Sequence, residues 1–255
     1  MCYTAARVLQ AFAGTVPMLV IVILHVLPPA LFALLHGAIR YPCRLSFWTL
    51  MGPRVFRVPI LLGVAYVGMG YLSWTLGSLI LGDIRRPLAG SRILTVPLTA
   101  SFIMVAWDLS MDPVWSTVMH GWIWLQGGPY FGVPVSNFLG WYLTVYVIYQ
   151  LFALYLRGRA TLCHSLSSGY WRLAVLCYGI AAAGNLLLVP RAGSSVVFDP
   201  TGVPWKVAGI VAASALVSIF AMGAFTLIAW VRMGDQPAAS GGVARRDLSG
   251  RVGDR

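Results

Sequence analysis

The chain has 255 residues, 59% of them hydrophobic and only 10% charged, with a mean hydropathy of +0.80. Soluble domains carry about 25% charged residues, so a water-soluble globule is excluded and a polytopic α-helical membrane protein is indicated. The formal charge of +11 is not a nucleic-acid signature, because the arginines lie in short loops and the C-terminal tail, where helix flanks commonly carry them.

A bilayer-spanning helix needs about 20 mostly apolar residues, and five or six segments qualify. The first covers roughly 12–37, with Pro28 and Pro29 as a kink and with His25 and His36 on about one face. Arg7 precedes it and no small-residue cleavage site follows, so a retained span is expected rather than a removable signal peptide. The second span covers roughly 58–82 and the third roughly 93–111, ending at Asp108 and Asp112. Residues 113–135 hold Pro113, Gly121, Gly127, Gly128, Pro129, Gly132 and Pro134, which argue against a continuous helix. They also hold Trp115, Trp122, Trp124, Tyr130 and Phe131. Irregular backbone at membrane depth must be buried in protein or line a cavity, so a re-entrant or interfacial cap over a pocket is expected here, with an ordinary aromatic belt as the alternative. The fourth, fifth and sixth spans cover roughly 136–156, 171–190 and 204–232. The fold class is therefore all-α, a membrane helix bundle of about six spans forming one domain over 1–233, with a disordered polar tail over 234–255.

Charge placement sets an orientation and exposes a conflict. The 113–135 stretch has no lysine or arginine and belongs outside, which puts Arg85, Arg86, Arg92, Arg157, Arg159, Arg172 and the tail inside. The same alternation puts residues 40–57 outside, although they carry Arg40, Arg44, Arg54 and Arg57. Either the orientation bias is weak there or a span is missing between Arg44 and Met51.

The acids are seven aspartates and no glutamate. Asp235, Asp247 and Asp254 fall in the tail, Asp83 precedes Arg85 and Arg86, and Asp199 occupies a loop. Only Asp108 and Asp112 lie near membrane depth, where ionisable groups are costly and functional by default. Spaced i, i+4, they share a helix face, and Pro113 predicts that the helix stops at Asp112. Low dielectric, mutual repulsion and a helix C-terminus predict one carboxylic acid beside one carboxylate, a general acid paired with a general base. The structural alternative is that each aspartate caps backbone or pairs with an arginine, although no arginine is local. Acid in an aromatic-lined apolar pocket suits protonation of an electron-rich alkene, with ring faces stabilising the cation and water delivered by the second carboxylate. His120 is a further proton relay candidate, Asn137 a group that orients water or a carboxyl, and Trp141 a packing residue. Cys2, Cys43, Cys163 and Cys177 show no CxxC spacing, and Cys177 reads as a small hydrophobe in an apolar run. No cofactor or metal motif is present: there is no GxGxxG, Walker loop, histidine cluster or diphosphate-binding aspartate motif.

The stretches WDLSMDPVW, WIW, GGPYFGVPVSNFLGW and YQLFALYLR resemble membrane-embedded carotenoid biosynthesis proteins of the carotenoid 1,2-hydratase type, related to bisanhydrobacterioruberin hydratase. The likeness is dense over about 51–160, weaker over 12–44, and slight beyond 161. It implies cofactor-independent hydration of the terminal 1,2 double bond of an acyclic carotenoid in a bacterial inner membrane, with the lipid bilayer and other carotenoid-pathway membrane enzymes as partners. Expected acid–base residues are Asp108 and Asp112, and expected substrate-lining residues are Trp115, Trp122, Trp124, Tyr130, Phe131 and Asn137. The chain departs from the family pattern at RYPCRLSFWTLMGPRV, where members carry a further helix and a Glu-Asn-Leu-Gly … Phe-Pro-Phe-Gly-x-Tyr stretch. One missing span explains this and the charge conflict together. It also raises the alternative of a non-catalytic carotenoid-binding or assembly subunit. A proton-coupled transporter is the weaker rival, since no internal repeat is visible.

Overall fold

The computed structural model describes residues 43–44, 54–55, 58–82, 84, 87–157 and 168–234. The expected first span with His25 and His36, the interior of the 40–57 stretch, Cys2, Cys163 and the tail lie outside the described residues. The described chain is mostly helical. Helix α1 runs Ile60–Ile80, α2 runs Arg92–Pro113 and continues as a π-helical turn over Val114–Val118, and α3 runs Val135–Leu156. Helix α4 covers Ser168–Leu186, and α5 (Val207–Val217) passes through a second π turn (Ser218–Gly223) into α6 (Ala224–Gly234). Short strand pairs fill the connections, the longest being the hairpin of β5 (Val196–Phe198) and β6 (Pro204–Lys206).

Among the described residues three helices are long and apolar enough to cross a membrane: Arg92–Val118, Val135–Leu156 and Val207–Gly234. Six spans are thus not shown. The fifth expected span is a 19-residue helix diluted by Arg172 and Asn185, and the sixth starts only at Val207 because 204–206 form a strand. Leu139, Leu143 and Leu151 are exposed on α3, and Phe220 and Leu227 on the last helix. These outward apolar surfaces fit a lipid surround. Cys177 also points outward on α4, so it lies on the helix surface and not in the core.

Helix α2 sits at the centre, packed on α1, α3 and α5. Its approach to α1 is close: a Cβ on Gly77 would lie 3.1 Å from the Ala100 backbone nitrogen. Small residues at such crossings let helix backbones meet where no hydrophobic force separates protein from lipid. Polar side chains bind the helices together. Tyr149 Oη donates to Gly70 O at 2.9 Å and Tyr178 Oη to Ile103 O at 2.8 Å. Asn185 Nδ2 donates to Ser110 Oγ at 3.1 Å and Ser218 Oγ at 2.9 Å, tying the second π turn to α2.

The expected helix stop at Asp112 is overturned. Pro97 and Pro113 both lie inside α2. Each removes a backbone donor and frees the carbonyl four residues before it, and each freed carbonyl has found a donor elsewhere. Gln150 Nε2 donates to Ile93 O at 3.2 Å, and Tyr130 Oη donates to Leu109 O at 3.1 Å. The helix therefore passes through Pro113. It widens afterwards, with Met119 N donating to Val114 O at 2.9 Å, an i→i−5 bond. The two acids consequently sit within a helix, not at its C-terminus.

One strand pair bears on topology. Strand β1 (Cys43–Arg44) pairs antiparallel with β4 (Ile123–Trp124), setting Cys43 opposite Trp124 and Arg44 opposite Ile123. This end of the arginine-bearing 40–57 stretch therefore lies on the same side as the 113–135 segment, against the positive-inside tendency.

Candidate functional site

Asp108 and Asp112 are 3% and 1% exposed, so both carboxyls are removed from solvent. Asn137, in the first turn of α3, bridges them: its Nδ2 lies 2.7 Å from Asp112 Oδ2 and 3.5 Å from Asp108 Oδ2. The other oxygen of Asp112 accepts the indole N–H of Trp122 at 2.5 Å. Asp108 Oδ1 faces the hydroxyl of Tyr66 on α1, which donates at 3.4 Å. The Tyr66 ring stacks on Trp141 at 4.7 Å and meets Trp107 edge-on at 5.3 Å. An aromatic wall from three helices thus stands beside the Asp108 carboxyl.

The 119–134 segment folds back onto the end of α2, since both Trp122 and Tyr130 reach it. Its shape depends on glycines. A Cβ on Gly128 would lie 2.2 Å from the carbonyl carbon and oxygen of Val133, and that close approach is closed by reciprocal backbone bonds between Tyr130 and Val133. His120 and Phe131 hold positive φ angles of 52° and 53°, a conformation costing about 1–3 kcal/mol for such residues. The Phe131 carbonyl is fixed by Thr117 Oγ1 at 2.5 Å. Burial, and then the Asp112 carboxylate, push the Tyr130 phenol above its ordinary range, so it remains a donor to Leu109.

Among the residues expected at the site, Asp108, Asp112, Asn137 and Trp122 come into hydrogen-bond contact. Trp124 lies within interaction range of Asp112, yet its indole N–H is buried without a hydrogen-bond partner. Tyr130 stands one layer away, packed edge-on against Phe138 at 5.4 Å. Trp115 stacks on the outer face of Trp122 at 6.4 Å and is 37% exposed. Phe131 turns instead toward Trp205 at 5.5 Å, on the β5–β6 hairpin. Tyr66 and Trp107 were missed, and Trp141, expected to pack, does so by stacking on Tyr66. Tyr66 is 42 residues from Asp108 in sequence, and no local spacing links them.

Asp199 is the second surprise, being buried in its loop. Its Oδ1 accepts Thr201 N at 2.9 Å, Thr201 Oγ1 at 2.6 Å and Val203 N at 3.1 Å, and its Oδ2 accepts Trp205 Nε1 at 3.0 Å. Burial pushes this carboxyl up, but the Thr201 hydroxyl, the Trp205 indole and the two amides outweigh it and hold it below the usual range. The Asp199 side chain also backs the folded segment, lying 3.3 Å from where a Gly127 Cβ would be. Between the two is a half-open cavity of about 230 Å³, lined by Ser116, Thr117, His120, Trp124 and Asp199 among others.

No curated protein and no solved structure matches the chain. The family model described as carotenoid biosynthesis protein matches residues 43–198, more than half of the sequence and all of the carboxylate site. The chain belongs to the carotenoid biosynthesis protein family.

Proposed function

We propose that this protein is a cofactor-independent hydratase acting on the terminal 1,2 double bond of an acyclic carotenoid. The observation that carries the reading is the buried Asp108–Asn137–Asp112 bridge beside stacked aromatic rings. Family membership supports a role in carotenoid biosynthesis.

Donor and acceptor chemistry divides the roles. Both oxygens of Asp112 face N–H groups that can only donate, so Asp112 is satisfied only as a carboxylate. Asp108 Oδ1 faces a hydroxyl, which can accept as well as donate, so Asp108 can carry a proton there. Asp108 is then the acid and Asp112 the base. Asp108 gives its proton to C2 of the alkene, leaving a tertiary cation at C1 facing the rings of Tyr66, Trp107 and Trp141. A water oxygen bonds to C1 and its proton passes to Asp112. Return of a proton to Asp108 completes a net addition of one water.

Expression in cells that accumulate lycopene tests this: pigment heavier by one water is expected. Asp108→Asn and Asp112→Asn should each lower hydration by about 10²–10⁴-fold. In heavy water, Asp112→Asn should still incorporate deuterium at C2 through Asp108, whereas Asp108→Asn should not. Unchanged pigment from the wild type would favour the carotenoid-binding subunit, and near-full activity in both variants would refute the acid–base pair.

A further inference from the structure

Hydration consumes a water in every turnover, yet the two carboxyls are 3% and 1% exposed. A cavity of about 230 Å³ that opens outward lies beside the turn following Asp112, with Ser116, Thr117, His120 and Asp199 as the polar members of a mostly apolar lining. His120, Phe198 and Pro200 at its rim are exposed, while Ser116, Thr117 and Asp199 deeper in are buried. It is smaller than the about 300–1,000 Å³ of pockets that hold drug-sized ligands, so a long polyene does not fit. Several waters do, and its lining suits them. The hydroxyls of Ser116 and Thr117 spend their protons on Asp112 O and Phe131 O and keep lone pairs to accept from water.

Trp124 connects the cavity to the carboxylates. It lines the cavity and lies within interaction range of Asp112. Its indole N–H is one of the buried donors without a well-formed hydrogen bond among the described residues, the Asp112 carboxyl being the acceptor within reach, and such a group calls for an ordered water or carries a desolvation cost of about 1–3 kcal/mol. Ser116 and Thr117 belong to the π turn directly after Asp112 and Pro113, and turns of this kind re-aim side chains at functional sites. Helical geometry would rotate these two hydroxyls differently relative to Asp112.

We propose that this cavity is the antechamber from which the hydrating water reaches Asp112, with Trp124 as the partition it passes. This rests on the hydratase reading above. Water held on the Trp124 N–H and the Ser116 and Thr117 hydroxyls is handed to the Asp112 carboxylate, which takes its proton as the oxygen bonds to C1. The polyene takes a separate route, to the aromatic rings beside Asp108.

Filling the antechamber separates water delivery from alkene protonation. Ile123 lines the cavity, and its apolar side chain makes no hydrogen bond to Asp108 or Asp112. With lycopene in heavy water, Ile123→Trp should lower hydrated product about tenfold or more while deuterium still enters recovered lycopene at C2, because the cation that lacks water reverts by losing C2–H rather than C2–D once rotation about C2–C3 presents that hydrogen to Asp108. Hydration at the wild-type level would overturn the proposal, as would parallel loss of both signals in a variant with wild-type thermal stability. A second measurement does not depend on activity or on that variant's folding. In Ile123→Cys, a charged methanethiosulfonate should modify residue 123, read by peptide mass spectrometry, because only hydrated thiolate reacts. An unmodified residue 123 beside a modified Leu125→Cys control, exposed on the same segment, would show a dry cavity and overturn the antechamber. A wild type that forms no hydrated pigment defeats the hydratase reading instead, whatever residue 123 does.

Discussion

Replacing Tyr130 by phenylalanine removes one oxygen and leaves the ring. That oxygen donates to Leu109 O at 3.1 Å, and this carbonyl has lost its helical donor because residue 113 is proline. Leu109 packs against the apolar cluster of Val105, Val133 and Phe138, so water does not replace the hydroxyl. An unsatisfied buried carbonyl costs about 1–3 kcal/mol, which lowers the folded-to-unfolded ratio about 5–150-fold. The Pro113→Ala background behaves differently. There the amide of residue 113 donates to Leu109 along the helix, and loss of the tyrosine hydroxyl should cost at most about 0.5 kcal/mol. The double-mutant cycle therefore predicts a coupling of about 1–2 kcal/mol. Packing lost with the proline ring appears in both arms and cancels. Reversible SDS-induced unfolding of the four proteins in mixed micelles, followed by tryptophan fluorescence, measures it. Additivity within about 0.3–0.5 kcal/mol would refute the idea that the loop repairs the helix. The same cycle for Gln150→Leu and Pro97→Ala should couple for the same reason, through Ile93 O.

Gly128→Ala places a methyl group against the Val133 backbone, and overpacking of this kind should cost at least about 2 kcal/mol and lower hydration with it; a thermal midpoint equal to the wild type would contradict the close approach. Asp199 is held below its ordinary pKa, so its contribution to stability is complete above the unfolded value of about 3.9 and is lost as pH falls through the lower folded value. Protection of the Thr201 and Val203 amides against hydrogen exchange should accordingly fall as the pH drops below about 4. In Asp199→Asn that acid-dependent step should be absent, and a step identical to the wild type would count against the assignment. Pairing of Cys43–Arg44 with Ile123–Trp124 predicts that cysteines introduced at Arg44 and Leu125 are labelled by a membrane-impermeant reagent from the same side; labelling from opposite sides would break that pairing.

Local spacing was enough to bring Asp108 and Asp112 onto one face, because i, i+4 neighbours meet on any helix. The clustering of tryptophans and glycines after Pro113 was enough to expect a segment folded over them. What the sequence concealed was long-range. The rule that the residue before proline leaves the helical region failed at Asp112, since the donor that rescues the helix belongs to Tyr130, 21 residues beyond the Leu109 carbonyl it satisfies. Tyr66 lies in GVAYVGMGY, where nothing marks it as different from Tyr71; only the packing of α1 on α2 turns it toward Asp108. Asp199 read as a loop acid because its partners, Thr201, Val203 and Trp205, are ordinary hairpin residues until the turn closes around the carboxylate. Phe131 was expected over the site by its place in an aromatic run, but its positive φ and the Trp205 contact direct it to the hairpin.

Backbone groups inside a bilayer have no water to fall back on, and this makes the folded segment part of helix α2 in an energetic sense. Lifting it would strand Leu109 O and remove the Trp122 donor from a buried Asp112. It would also disturb Asn137, which follows the segment by only three residues and bridges both acids. A hydrocarbon substrate can replace none of these hydrogen bonds, so entry by raising the segment would cost several polar contacts with nothing to offset them. Water needs no such opening, since the cavity beside the segment already opens outward. The asymmetry assigns the two reactants of the proposed hydration to different routes: the polyene laterally between helices from the lipid, and water past the segment from the polar side. A hydratase so built would keep bulk solvent away from the cation while admitting the one molecule that must capture it.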